Sequence, residues 1–410
     1  AMLAVRANER SAAAAGISVT RVKIVGFAIG SFIAGLGGTL LAYKQTNVTF
    51  QSFSIFEGLT VFSTAVMAGI TSVSGGIVAG VITSSGIMFV ALDRAVDIGP
   101  WFSIVSGLGV IFTVIFNPEG IVGPAHAELD KRRQAKLREA AGEADDHTSS
   151  VAASLPSLAA DGPASGRPAL SVGSLTVTYG GVTAVDDVAF EVAAGTITGL
   201  IGPNGAGKTT TMDAICGFTD CKGAVDLDGR ALRELAPHQR ARLGLGRTFQ
   251  GLDLYEDLTV EENVVVGQYV AGAAASAEHL AAVLAILDLT DDRERNVKEL
   301  SQGQRQLVSI ARALAGQPSV LLLDEPAAGL DSSESEWLAT RLRGVRDSGV
   351  TVLLVDHDVN LVLSLCDEIH VLDFGSLIAS GPPDRIRSDP AVTEAYLGSS
   401  LSTDEEVVPS

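Results

Sequence analysis

The sequence predicts a membrane α-helical segment joined in one chain to an α/β domain built around a phosphate-binding loop. Three observations predict it. Residues 1–124 carry few charges and long apolar runs. From Leu170 to about residue 400, short β-rich runs alternate with helical patterns. One of those runs, Thr196–Ile201, leads directly into Gly202-Pro203-Asn204-Gly205-Ala206-Gly207-Lys208-Thr209-Thr210. Residues 125–169 between the two parts are polar, charged and rich in Ala, Ser and Gly, and residues 401–410 read as a disordered acidic tail.

Charge and cysteine content bound the function. The mean hydropathy of +0.32 is high for a chain of net charge −19. The negative balance is concentrated from Leu170 onward, which argues against a general nucleic-acid binder. Cys216, Cys221 and Cys366 have no metal-ligand spacing, and an odd count gives no disulfide framework, so free thiols in a reducing compartment are expected.

In the first part, Val22–Tyr43 has one charge, Lys23, at its start. As a helix it spans about 33 Å, enough for a bilayer core. Its Gly26, Gly30, Ala34, Gly35, Gly37 and Gly38 suit close helix packing in lipid. Gly58–Leu92 is too long for one ordinary crossing and is interrupted at Thr71–Gly76, so two short helices are expected, as a hairpin or a re-entrant pair. Trp101–Phe116 is a further short span. Arg6, Arg10, Arg21 and Lys23 place the start of the chain inside. A nucleotide-using domain must also lie inside, so the number of crossings must be even, which favours the hairpin. No signal peptide precedes the first span. The opening Ala1-Met2-Leu3 reads as the middle of a longer membrane domain, with upstream helices expected.

Ala4–Ile17 is Ala-rich and helical by propensity, ending at Gly16. Glu128–Ala144 reads as a solvent-exposed charged helix and Asp145–Pro168 as a flexible tether, which makes the encounter of the two parts intramolecular.

The chemistry lies in the second part. Strand, Gly-rich loop and helix are the context that the GxxxxGK[ST] pattern requires. The glycines let backbone N–H groups converge on phosphate oxygens, and the helix N-terminus adds positive potential. Lys208 is placed to reach the β- and γ-phosphates and the Thr209 hydroxyl to ligate Mg²⁺. Val320–Leu323 is a fully apolar run ending in Asp324 and Glu325, as a buried parallel strand should be. Asp324 is placed to hold Mg²⁺ through water, and Glu325 to orient and deprotonate an attacking water.

Between these elements, Leu300-Ser301-Gln302-Gly303-Gln304 opens a helix about ten residues before the Asp324 strand. The run is similar to the LSGGQ signature of the ABC ATPases, and the resemblance covers essentially all of 170–400. It implies a RecA-like core with an antiparallel β subdomain and a helical subdomain. It implies ATP and Mg²⁺ bound between two paired ATPases, with Ser301, Gln302, Gly303 and Gln304 of one chain closing over nucleotide held by the other. Gln302 stands where the family usually has the first glycine of the signature, a position at which some members vary, so function is expected to survive. By the same resemblance Tyr179 stacks on adenine, although a strand-end core aromatic is the alternative. Gln250 senses Mg²⁺ and contacts a permease. Asp331 bridges the two ATPases, and His357 touches the γ-phosphate.

Pro326–Leu330, Asp356-His357-Asp358 and Asp389–Gly398 look like the ATPase of branched-chain amino acid importers, and residues 1–124 look like the C-terminal part of a permease of that system. Ala4–Ile17, with Glu9, the Ala12–Ala15 run and Gly16, resembles the coupling segment of importer permeases; a solvated Ala-rich helix is the alternative. The implied partners are a second ATPase, a partner permease and an extracytoplasmic binding protein, at the cytoplasmic membrane with the ATPase on the cytosolic side. Urea and short-chain amide importers share this architecture, and a non-transport ATPase on a membrane anchor is a further alternative.

Overall fold

The computed structural model describes residues 1–44, 55–70, 72–83, 86–96, 101–117, 120–123, 158, 167–256, 258–270 and 276–401. The charged helix expected at Glu128–Ala144, the tether apart from Leu158, Arg167 and Pro168, and the acidic tail beyond Leu401 lie outside them. Two compact units form: Ala1–Phe27 with Val151–Ser410, and Ala28–Ser150.

The chain begins with two short helices, α1 (Met2–Ala7) and α2 (Glu9–Ala14), where composition predicts one. Asn8 is the reason. Its backbone is extended, and its side chain accepts the Ser11 N–H at 2.9 Å, so it caps α2 and ends α1. A capping side chain outweighs the propensity of the alanines around it.

The long apolar helix α3 (Val19–Lys44) agrees with the expected first span. Phe27, Phe32, Ile33 and Leu40 stand exposed along it, an apolar surface of the kind that marks a membrane or partner contact. Four further apolar helices follow: α4 (Ile55–Ala68), α5 (Val73–Ile82), α6 (Ile87–Val96) and α7 (Phe102–Phe116). Among the described residues, Val19–Tyr43 is long and apolar enough to cross a membrane, and Val73–Ala91 reaches that length only with α5 and α6 taken together. The expected break in Gly58–Leu92 is present but shifted. Gly69, at φ +115°, ends α4, and Ser72 caps α5 by accepting the Gly75 N–H at 2.9 Å, so Val73–Gly76 are helical rather than a turn. A second interruption separates α5 from α6, giving three pieces where two were expected. Helices α4 and α7 pack closely: a Cβ on Gly109 would stand 2.5 Å from the Met67 sulfur.

The second part opens with β1 (Pro168–Tyr179), so Pro168 and Ala169, expected in the linker, belong to a strand. With β2 (Val182–Ala193), β3 (Ile197–Ile201), helix α8 (Lys208–Cys216), β4 (Lys222–Leu227) and β5 (Arg230–Ala231), it builds an antiparallel sheet of order β2-β1-β4-β5, with β3 left for the other sheet. The chain continues through α9 (Pro237–Arg242), β6 (Leu245–Arg247), α10 (Val260–Gly267), α11 (Ala277–Ile286) and α12 (Gln302–Leu314). It then runs through β7 (Val320–Asp324), α13 (Ser332–Asp347), β8 (Thr351–Val355), α14 (Val359–Leu365), β9 (Glu368–Asp373), β10 (Ser376–Gly381), α15 (Pro383–Arg387) and α16 (Pro390–Leu401).

The second sheet has the order β10-β9-β3-β8-β7-β6, parallel except for β10. Strands β3, β7 and β8 are buried at every residue, which is why they read as unbroken apolar runs. Helices cover both faces, so the C-terminal ends of β3, β7 and β8 form one edge where ligands bind in such sheets. One tether residue joins this core. Leu158 is 1% exposed as a member of the larger apolar cluster, and its N–H donates to the carbonyl of Ser348, just past α13, at 3.1 Å.

Candidate nucleotide site and the segment docked beside it

The loop after β3 is shaped for an anion. Gly202, Gly205 and Gly207 have φ of +153°, +82° and +98°. A Cβ on Gly207 would lie 2.6 Å from the Ala184 carbonyl oxygen, whereas one on Gly205 would meet open space. The loop is thus fixed on one side and open on the other. Gly207 is the N-cap of α8 and supplies no side-chain cap, so the first N–H groups of the helix have no protein acceptor from that position. At its other end α8 is held by Arg240, whose Nη1 donates to the Ala214 and Ile215 carbonyls at 2.8 Å each.

Lys208 is buried, and its Nζ donates to the Gly202 and Pro203 carbonyls at 2.7 and 2.9 Å. The loop's own oxygens hold the ammonium where a phosphate would take it over. Burial lowers the Lys208 pKa, while Glu325 and Asp324 pull it back up.

Strand β7 delivers Asp324 and Glu325 to the same edge. Asp324 is 3% exposed, and burial raises its pKa while Arg247, with Nη2 at 3.2 Å, works the other way. Glu325 has φ +48°, a left-handed backbone that costs a non-glycine residue about 1–3 kcal/mol and collects at functional sites. The turn directs its carboxylate toward Gln250, whose Nε2 donates to Oε2 at 2.7 Å. His357 Nδ1 stands 3.9 Å from the same oxygen, too long for a hydrogen bond, and 3.6 Å from Asp356 Oδ1. Asp356 is fully buried and accepts the Ala327 and Asp358 N–H groups at 3.1 and 2.9 Å, tying the Glu325 loop to the His357 loop.

The expected residues from the other motifs lie in ordered local structures. Ser301 caps α12: its Oγ accepts the Gln304 N–H at 3.2 Å while Gln304 Oε1 accepts the Ser301 N–H at 3.1 Å. Gln304 Nε2 also donates to Asp292 at 2.7 Å. The signature residues Gln302, Gly303 and Gln304 are inside the helix rather than ahead of it. Asp331 caps α13, accepting the Ser333 and Glu334 N–H groups. Tyr179 is half-exposed at the end of β1, with its hydroxyl 3.0 Å from Thr219 Oγ1. Among the described residues, no hydrogen bond or ion pair joins Ser301–Gln304 to the Gly202–Thr210 loop. One chain therefore brings together Lys208, Gln250, Asp324, Glu325 and His357 and leaves the signature apart.

Comparison with known proteins agrees with this geometry. Residues 185–328 match the family described as ABC transporter. Residues 1–114 match the permease component of the branched-chain amino acid transport system, and 376–401 match the branched-chain amino acid ATP-binding cassette transporter. The chain is 38% identical over 251 residues to the high-affinity branched-chain amino acid transport ATP-binding protein BraF of Pseudomonas aeruginosa, covering 57% of this chain and 98% of that one. It is 37% identical over 251 residues to LivG of Salmonella typhimurium, with the same coverage. A solved ATP-binding cassette of an ABC transporter in its ADP conformation superposes with TM-score 0.52 at 29% identity, covering 57% of this chain and 99% of that one. The chain belongs to the ABC transporter family.

As a member of that family it is an ATP-hydrolysing cassette, carried in one polypeptide with a membrane-associated permease region, and it works with permease and ATPase partners. The residues that the sequence left unassigned are those of the cassette that receive the first segment, among them Asp213, Arg242 and Tyr255. Ala4, Val5, Ala12 and Ile17 bury against Tyr255. Arg242 Nε donates to the Gly16 carbonyl at 3.1 Å. Arg10 Nη2 lies 3.0 Å from Asp213 Oδ2 and its guanidinium 5.3 Å from the Phe218 ring centre. Of the two readings of Ala4–Ile17, the solvated helix is excluded by this burial. Arg247 and Asp213 had no motif to announce them. Only the position of Arg247, three residues before Gln250, could have suggested that it faces the site.

Proposed function

We propose that the chain drives uptake of branched-chain, apolar amino acids across the cytoplasmic membrane. It acts with a second ATPase, a partner permease and an extracytoplasmic binding protein, as a multi-pass protein whose cassette faces the cytosol. The observation that carries the reading is that a permease-type segment and a cassette of one transport system share a chain, and that the segment is seated on the cassette.

Backbone N–H groups of Gly205–Thr210 and the Lys208 ammonium bind the phosphates. The Thr209 hydroxyl, Gln250 and Asp324 suit Mg²⁺. This is a sparse oxygen set that leaves room for phosphate oxygens and water, as such sites do. When bound, the ion neutralises charge on the phosphates. Glu325 accepts a proton from the attacking water, and Gln250 fixes its carboxylate. His357, 60% exposed at its side chain, is free to swing to the γ-phosphate. Tyr179 offers a face to adenine. Ser301, with its hydroxyl proton still available, and the first N–H groups of α12 suit the γ-phosphate of nucleotide on a second cassette. Asp331, at the start of α13, faces that same partner.

The test is ATP hydrolysis by the reconstituted transporter with a loaded binding protein. Leucine, isoleucine or valine should stimulate it. Stimulation by urea or short amides alone would reassign the substrate, and hydrolysis unaffected by any of them would remove the transport reading.

A further inference from the structure

Four side chains of alternating charge run in line from the docked segment into the nucleotide site. Arg10 on α2 meets Asp213 Oδ2 at 3.0 Å, Asp213 Oδ1 meets Arg247 Nη1 at 2.7 Å, and Arg247 Nη2 meets Asp324 Oδ2 at 3.2 Å. The first is solvated and the rest are not: side-chain exposures are 57%, 13%, 3% and 4%. Arg247 lies beneath α2, lining a small cavity with Ser11 and Ala14, and stacks over Phe249 at 4.9 Å. Its Nε is buried without a hydrogen-bond partner. One guanidinium therefore serves two carboxylates and satisfies neither with its full fork.

We propose that Arg10, acting through Asp213 and Arg247, sets how strongly Asp324 holds the cation that accompanies bound nucleotide. The inference rests on the reading of Asp324 as a cation-holding carboxylate. Two effects have the same sign. With Arg10 in place, Asp213 is shared, so Arg247 is left to Asp324 and competes with the cation. The Arg10 charge also adds to the positive potential along the chain. When Arg10 departs, Asp213 draws Arg247 toward itself with a two-pronged contact, and Asp324 is released. Docking of residues 4–17 thus weakens cation binding. By linkage, cation binding weakens docking by the same factor. Arg10 is a positioning residue, since it touches neither cation nor nucleotide.

The experiment uses the full chain in lipid nanodiscs with a non-hydrolysable ATP analogue, and Mn²⁺ as the probe, read by electron paramagnetic resonance. Arg10→Gln should tighten Mn²⁺ about fivefold, the low end of such couplings because Arg10 is solvated. Arg10→Lys should fall between it and the wild type. In an Asp213→Asn background, Mn²⁺ should bind more weakly and the Arg10 effect should shrink to its direct electrostatic part. The reciprocal readout is hydrogen exchange at the Ala12, Ala15 and Ile17 amides, which Mn²⁺ with nucleotide should accelerate in the wild type and not in Arg10→Gln; it decides the matter if Asp213→Asn does not fold. Unchanged Mn²⁺ affinity in Arg10→Gln, or an equal Arg10 effect in both backgrounds, overturns the proposal and leaves the nucleotide site standing. Failure of the wild type to bind nucleotide overturns both.

Discussion

Replacing Gly16 by alanine should release residues 4–17 from the cassette while leaving the cassette folded. Gly16 has φ +71°, and a Cβ there would stand 3.0 Å from Val270 Cγ2 and 3.3 Å from Val270 Cα. The left-handed backbone costs an alanine about 1–2 kcal/mol. The crowding adds to this, because Val270 must move by a few tenths of an ångström, and the Arg242 bond to the Gly16 carbonyl depends on the same turn. A total of about 2 kcal/mol corresponds to roughly a thirtyfold shift toward the undocked state. Helices of six residues do not persist alone in water, so the amides of Ala12, Ala15 and Ile17 are protected only while docked. Hydrogen exchange should therefore quicken at these amides in Gly16→Ala, with the thermal midpoint of the cassette and its nucleotide affinity in the absence of divalent cation retained. A second change, Val270→Ala, should recover the steric part of the loss but not the backbone part. Unchanged exchange in Gly16→Ala would refute the idea that this turn holds the segment in place.

Three further outcomes are expected. Gly207→Ala should abolish nucleotide binding, measured by equilibrium titration, since its φ of +98° and a Cβ 2.6 Å from the Ala184 oxygen both oppose the loop. Leu158→Ala should destabilise the cassette by about 2 kcal/mol or more, read from its denaturant midpoint, because a side chain 1% exposed leaves a cavity when truncated. The cassette should also lose stability as pH falls below about 6.5: burial lowers the His370 and His279 pKa values, so the unfolded chain takes up protons there that the folded one refuses. His370→Gln should flatten this slope between pH 7.5 and 5.5, and an unchanged slope would refute the assignment.

How far the sequence could be read depended on whether its signal was local. The Gly202–Thr210 loop and the β7 strand announce themselves because each motif is continuous in the chain and its chemistry demands those residue types. The first span is equally plain, because a bilayer dictates length and apolarity together. Asn8 illustrates a local signal that composition conceals: a capping residue that outweighs the alanine run around it. The displaced break after Gly69 has the same cause, a Ser72 cap that recruits the glycines into α5. What could not be read was contact between distant segments. Arg10 and Asp213 are 203 positions apart, and neither carries a pattern. Leu158 is a single apolar residue in a polar stretch, so periodicity has nothing to act on. Ser301 and Asp331 read as nucleotide and partner residues by resemblance, and the structure adds a second task, since each caps the helix that it opens.

Glu325 is proposed to take the proton from the attacking water in a cassette that binds ATP through the Gly202–Thr210 loop. The most direct test of this role is Glu325→Gln, assayed for phosphate release and for nucleotide retained on the protein. ATP should stay bound at wild-type affinity or tighter, with phosphate release lost. Phosphate release at the wild-type rate would contradict it.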